Sequence, residues 1–504
     1  MSLLDDVSIV VTPNGYKAGE LYAVIPSDGA ADMDVTRATA ATRVDENGLV
    51  NYAEVVSDTE LLTNGDFASD LSGWSSFGTA SATGGIATIG ASSSSGILQT
   101  ILTNGFTYNV TINVVSYDGV GTAEVSNNNG LNLYTITTTG EQTFTFKHSI
   151  TSGKLVFRGT SNALFSLSSV SVKEVLRDNV PRIDYTGGGC PHILAEPQRT
   201  NLIPYSEDFT AGSWSSFSVG TTPTLTSGFT APDGSSNAYK ISNPNKDSLW
   251  GYDGVADTNY ARTIYARTVS GTGTISLLSK NGNADNVFSL TESWQRFEVN
   301  TAALVPNIFY AVDFRVSGNL TELLIWGGQS EVGSYATSLI PNFGTAAGVT
   351  RNQDIFTRDG IGSLINSTEG VLFLEMATLT SLVTFNNWLT ISDGTANNQV
   401  AVGFETNGYT TALFRVGGSS TGFITFSGDY SQNKKIAFKW KENDFALWID
   451  GVEVGVDTSG ATLSSGTLNS LQFNWGAGGN YTNAKVKQLQ VFKTTDIDLA
   501  ALTS

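Results

Sequence analysis

The pattern that most constrains this chain is alternation. Residues 108–119 (YNVTINVVSYDG) and 131–149 (LNLYTITTTGEQTFTFKHS) place apolar and polar side chains in turn over short runs, and Gly or Asn bounds each run. A period of two is that of half-buried antiparallel strands, in which successive side chains point to opposite faces. The 53 glycines, with Ser, Thr and Asn between the apolar runs, supply the turns such a chain needs. Disorder is excluded, because 40% hydrophobic residues with 26 Phe, 17 Tyr and 9 Trp bury ample surface. The length of 504 residues suits three or four domains. The expected class is all-β, built of tandem antiparallel β-sandwiches.

The chain divides around residues 177–200. Pro181, Pro191, Pro197 and Pro204 crowd this neighbourhood together with Gly187-Gly188-Gly189, the single cysteine, Cys190, and His192. Proline fixes φ and withholds a backbone donor, so this density forbids a central strand and marks a connector. On either side lie two blocks built to one plan. Residues 61–176 open with LLTNGDFASDLSGWSSF, and residues 201–343 open with NLIPYSEDFTAGSWSSF. Inside them Tyr108 aligns with Tyr260, Ile112 with Ile264, Gly119 with Gly271, and the TFTF at Thr143 with the RFEV at Arg296. Two copies of one sandwich are expected rather than a solenoid. Residues 344–504 follow another pattern, in which KKIAFKWKENDFALWIDGVEV reads as strand, turn, strand, tight turn, strand, with Asp450-Gly451 in the position a type I′ hairpin prefers. Residues 1–60 are too few for a core of their own and read as two short strand-like runs around a turn at Pro13-Asn14-Gly15, followed by an arm that attaches elsewhere.

Three resemblances extend this reading. The paired blocks resemble jelly-roll carbohydrate-binding modules, which often begin with an Asn-Gly-Asp/Glu-Phe element followed by Trp; Asn64-Gly65-Asp66-Phe67 matches it, and Ser206-Glu207-Asp208-Phe209 replaces it in the second copy. The last block resembles concanavalin A-like and laminin G-like sandwiches. The phrases VTRATAATRV, NVPRIDY, HILAEPQRTN and GVTRNQDIF are similar to a phrase that recurs in virion proteins of tailed bacteriophages, of the fibre, spike or head-decoration type. There the RATAATRV and NVPRIDY elements lie close together, so residues 61–176 look like an insertion between them. The resemblance implies a non-enzymatic structural component of the virion, made in the host cytoplasm and joined to other virion proteins through residues 1–60. It also implies a homo-oligomer, a trimer by class, and binding to glycans or a host surface. A polysaccharide-degrading enzyme or a secreted carbohydrate-binding adhesin is the alternative.

Charge narrows the partners. With 46 Asp and Glu against 27 Lys and Arg the net charge is −19, which disfavours nucleic acid and anionic membrane surfaces. The first residues, MSLLDDVSIVV, have no basic region of the secretory kind, and no stretch reaches the ~20 apolar residues of a membrane span.

The chemistry-bearing residues are few. His148 closes the strand TFTFKHS and reads as a surface or edge residue, and His192 sits two positions from Cys190 on a Pro-bounded loop, too local for a nucleophile and its base. Gly418-Ser419-Ser420-Thr421-Gly422 fits the nucleophile-elbow spacing, but between strand-like LFRV and FITF it reads as a hairpin loop. Glu369 and Glu375 share a face without an intervening Asp, so no paired-acid glycosidase site is visible. No catalytic residue and no cofactor is expected. Ca²⁺ is the one metal that loops such as SNNNG at Ser126 or SEDF at Ser206 could take, as a structural ion. Aromatic platforms remain for a sugar face. Trp250 and Tyr252 replace Leu98 and Thr100 of the first copy, and Trp475 and Tyr481 flank a GAGGN loop; these four are the expected ligand-binding residues.

Overall fold

The computed structural model describes residues 6–127, 130–212, 214–217, 220–255, 260–279, 286–301, 307–315, 317–380, 387–406 and 408–504. Its regular structure is almost wholly antiparallel β, with a short helix at Leu499–Thr503. Contacts divide the chain into two units, one of residues Glu54–Arg177 and one of Met1–Ala53 with Asp178–Ser504.

The first unit is a two-sheet sandwich. One sheet carries, in order, the strands Asn132–Ile136, Thr122–Asn127, Lys154–Thr160, Ser94–Thr100 and Ser75–Phe77; the other carries Gly140–Lys147, Thr107–Tyr117, Phe165–Leu176, Ile86–Ile89 and Ala80–Thr83. The inward members of the alternation, among them Val110, Ile112, Phe157 and Leu167, meet Phe67 and Trp74 in one core. His148 does follow an edge strand, Gly140–Lys147, but it is buried at 1% exposure rather than at the surface, and its backbone N–H and C=O both pair with the 105–106 turn.

The second unit contains the repeat. Its sandwich pairs Val287–Leu290, Gly273–Ser279, Asn307–Asp313, Leu249–Val255 and Trp214–Ser216 in one sheet, and Gln295–Thr301, Tyr260–Arg267, Glu322–Val332, Ala238–Ser242 and Thr224–Phe229 in the other. Strand for strand this is the order of the first sandwich, so the alignment of the two blocks is an alignment of folds.

Residues at the start of the chain do not form a separate arm. The strands β1 (Val7–Lys17), β2 (Glu20–Ile25) and β3 (Met33–Thr36) lie inside the ladder of the C-terminal sandwich: β1 pairs with Ala484–Phe492 on one side, and β3 pairs with Ile355–Arg358 on the other. Ile9, Val11, Leu21, Met33 and Val35 are at most 3% exposed, in one core with Phe356, Leu374, Phe438 and Leu489. Sixty residues that cannot bury a core of their own borrow one. Pro13-Asn14-Gly15 is not the turn between two strands but an irregularity within β1, between the pairs Val11–Ala23 and Tyr16–Leu21; the reversal falls at Ala18-Gly19. The Asp450-Gly451 turn does have the two positive φ values, 47° and 81°, of a type I′ hairpin, and Gly417-Gly418 turn the hairpin that carries the G-x-S-x-G spacing.

The phrases VTRATAATRV, NVPRIDY, HILAEPQRTN and GVTRNQDIF meet in space. β4 (Thr42–Val44) and β5 (Val50–Tyr52) form a hairpin after the first phrase, and each phrase sends charged side chains into one buried cluster. Arg37 comes from the first, Arg182 from the second, Glu196 from the third, and Arg351 and Asp354 from the fourth, none more than 4% exposed. Arg37 reaches Asp354 at 2.8 Å; Arg182 bridges Glu196 at 2.5 Å and also Asp354; and Arg351 reaches Glu196 at 2.6 Å. Ser338 and the carbonyls of Thr39, Thr42 and Pro197 take further guanidinium hydrogens. Burial alone would raise the Glu196 and Asp354 carboxyls, but the facing guanidinium groups hold both below the ordinary carboxylate range. Asn179 caps the arrangement by accepting from Arg37 N and Ala38 N, and Asp184 accepts from Val44 N.

The chain leaves this unit after Ala53 and returns at Asp178. Within the first unit Val55 and Val56 pair with Leu176 and Val175, and Arg177 donates to Glu54 at 2.8 Å, so its two ends run side by side. Excising residues 54–177 and bridging the gap with a short Gly-Ser linker should therefore leave the remaining chain folded. A cooperative melt within a few degrees of the parent's corresponding transition checks this; a chain that aggregates contradicts it.

Candidate functional site

The outer face of one sheet in the second sandwich carries the candidate site. Tyr260–Arg267 and Gln295–Thr301 are neighbours, with Tyr265 opposite Arg296. Ile264 and Ala266 face the core, so the alternation turns Tyr265 and Arg267 outward. Tyr265 stands edge-on to Trp326 at 5.4 Å, the Arg296 guanidinium lies 5.6 Å from the Tyr265 ring, and the Arg267 guanidinium lies 5.3 Å from the Trp294 ring. Part of this face is closed by the β4–β5 hairpin, whose Val44 and Val50 pack with Ala231, Ala238, Trp326 and Leu339. What stays open is a cavity of about 840 Å³, walled by Tyr265, Trp294, Arg267, Arg296 and Glu298 and bordered by Arg43, Asp184 and Lys485.

Such a lining offers flat rings for an apolar face and convergent donors and acceptors for hydroxyl groups, which is what a small-molecule site needs. Arg296 is fixed by Thr337 O at 2.6 Å and Thr263 Oγ1 at 3.0 Å, and Glu298 accepts from Ala336 N at 2.7 Å. Burial pushes the Tyr265 hydroxyl above its ordinary value, so the ring stays neutral as donor and acceptor.

None of the four aromatic residues expected from sequence lines this cavity. Trp250 is only 9% exposed, packs in the sandwich core and donates from Nε1 to Phe209 O at 3.1 Å; Tyr252, equally buried, stands edge-on to Trp214 at 5.7 Å. The register explains the correction. In the shared Trp-Ser-Ser element Ser76 pairs with Ile97 and Ser216 with Trp250, so the counterpart of Trp250 is the buried Ile97, not Leu98. A slip of one residue in the alignment moves a side chain from one face of the sheet to the other. Trp475 is half-buried against Trp388, at 4.6 Å between ring centres, with the Arg415 guanidinium 5.5 Å from its ring. Its GAGGN loop closes on itself through Trp475 N to Gly479 O and is tied to the sheet by Gly476 N to Gln399 Oε1, while Tyr481, also half-buried, bridges to Trp388.

Sequence reasoning passed over Tyr265, Arg267, Trp294 and Arg296. Their signal is the spacing aromatic-x-Arg in YAR and WQR, where the first copy has Asn113 and Val115 in place of Tyr265 and Arg267 and where its edge strand, GEQTFTFK, holds neither Trp nor Arg.

His192, 5% exposed, has Nε2 3.3 Å from Asp184 Oδ1, while Cys190 is exposed, so the two do not form a Cys-His pair. The SNNNG loop lies partly outside the described residues. In the SEDF loop Asp208 makes a turn with Thr210 N and meets Tyr239, and Glu207 binds Asn237; burial, with Asp233 nearby, pushes the Glu207 carboxyl up to about 7. Among the described residues no group of three or more His, Cys, Asp or Glu side chains is placed to hold a metal ion.

No protein-family model matches the sequence, and no curated protein matches it. Among solved structures the chain is similar to the CBM40 of Ruminococcus gnavus IT-sialidase bound to α2,3-sialyllactose, at 14% identity over 27% of this chain and 83% of that chain, with a TM-score of 0.24. It is also similar to domain 4 of AbnA, a GH43 extracellular arabinanase from Geobacillus stearothermophilus in complex with arabinotriose, at 13% identity over 30% of this chain and 73% of that chain, TM-score 0.24. The CBM22-1–CBM22-2 tandem domain of Paenibacillus barcinonensis Xyn10C covers more, 55% of this chain and 98% of its own, at 11% identity and a TM-score of 0.21. All three TM-scores lie below 0.5, and the fold stands on the sheets described above.

Proposed function

We propose that this chain is a non-enzymatic structural component of a tailed-phage particle whose second jelly roll binds glycans in the cavity beside Tyr265 and Trp294. The observation that supports the glycan part is the lining: two aromatic rings stand among guanidinium and carboxylate groups, where the first copy has Asn113 and Val115 in place of Tyr265 and Arg267. The particle part rests on the recurrent phrases, which supply the buried ion cluster that frames the cavity through Glu196 and Ser338. On this reading attachment to other virion proteins uses the surface of the folded unit rather than a loose arm, and assembly into a trimer adds stability by mass action.

A glycan array followed by calorimetry tests the reading. Trp294→Ala should weaken binding of the array's best ligand by roughly tenfold or more, the equivalent of about 1.4 kcal/mol, while the melting transition moves little because the ring is half-exposed. A blank array, or full affinity in the variant, would overturn it.

A further inference from the structure

Two arginines of the cavity lining, Arg267 and Arg296, have no carboxylate partner among the described residues. The strand register places Tyr265 opposite Arg296, and just beyond the paired residues Arg267 lies against the Trp294 ring, so each guanidinium has a ring beside it. The two arginines occupy a diagonal, roughly 7–8 Å apart at the backbone. Among the described residues no carboxylate lies within 4 Å of Arg267, Arg296 or Lys485. Arg267 spends its hydrogens on the carbonyls of Thr268 and Glu292, and Arg296 on Thr337 O and Thr263 Oγ1, with its Nε buried and unpartnered. Arg43 has only Glu46, at 3.9 Å, and Ile183 O.

The carboxylates of the lining are otherwise engaged. Asp184 accepts from Val44 N and Thr186 N, Glu196 belongs to the buried cluster, Glu292 takes Gly271 N, and Glu298 takes Ala336 N and Asn300 Nδ2. In a chain of net charge −19, Arg267, Arg296 and Lys485 thus stand at one concave place without an ion-pair partner among the described residues. Unpaired like charges on a sheet repel, and an anion between them relieves the repulsion. A guanidinium fork matches a carboxylate in two-point geometry, and the ring beside each fork offers a surface for a sugar's C–H face.

We infer that the cavity selects saccharides bearing a carboxylate, uronic or sialic acids, with the carboxylate held between Arg267 and Arg296. The inference rests on the glycan reading and adds the charge of the ligand.

An array of matched pairs decides it, each acidic saccharide printed beside the same saccharide with its carboxyl group methyl-esterified. The expected result is binding of acids over esters by at least tenfold, weakened by added salt, with R267Q and R296Q each erasing the preference. Equal binding of acid and ester, or hits confined to neutral sugars, overturns the inference and leaves the glycan reading standing. A blank array removes both. Should a Gln variant fail to fold, the acid and ester pairs on the parent protein still decide.

Discussion

Removing residues 1–36 should abolish folding of the C-terminal sandwich. β1 and β2 lie in the interior of its ladder, and β3 joins them to Ile355–Arg358, so the deletion opens the sheet between Ile355–Arg358 and Ala484–Phe492. It also removes Ile9, Val11, Leu21, Met33 and Val35 from the core. At ~1.5–3 kcal/mol for each buried side chain, these five alone match a domain's entire stability of ~5–15 kcal/mol. The truncated chain is expected to aggregate, or to lose the corresponding transition in calorimetry while the jelly roll of residues 54–177 still melts. A soluble truncation with every transition of the parent would show that the strands are dispensable.

Breaking the buried ion cluster is the second large effect. Arg182 is fully buried and touches both carboxylates, so Arg182→Met leaves Glu196 and Asp354 short of a partner in a place water does not reach. Stripping one member from such a group costs ~3–5 kcal/mol, whereas replacing a whole set by apolar residues of like volume costs far less. A chemical denaturation series should show Arg182→Met and Asp354→Ala each losing that much, and their double variant losing less than the sum. The cluster also sets an acid limit. Because Glu196 and Asp354 have carboxyls held below the ordinary range in the folded state, their contribution is complete above about pH 4.5, the unfolded value. It disappears as the pH falls toward the lower folded values, since the unfolded chain then binds more protons than the folded one. Single-variant losses near zero would mean that the phrases are tied together by packing alone.

Much of the architecture was legible because the periods of the sequence are local. Alternation gave strands, Asp450-Gly451 gave its hairpin, and the shared Trp-Ser-Ser with Tyr108 and Tyr260 gave two sandwiches of one strand order. The N-terminal strands were legible as strands but not as partners of Ile355–Arg358 and Ala484–Phe492, more than three hundred residues away, since nothing in a short run states its partner. The buried cluster was visible only as recurring words; its charges pair across separations such as Arg37 to Asp354. At the candidate site the repeats align one residue out of the register that the strands take. Trp250 drew attention as an extra aromatic, yet it takes the inward position that Ile97 holds in the first copy. The divergence that faces outward is the change from Asn113 and Val115 to Tyr265 and Arg267, visible once the pleat is counted from Ile112 and Ile264.

The most direct measurement is a crystal structure of the full chain with the tightest saccharide from the array. The account predicts a sugar ring against Tyr265 or Trp294 inside the cavity, with its charged group beside Arg267 and Arg296. A saccharide seated instead against Trp475 and Tyr481, with the cavity empty at saturating concentration, would contradict it.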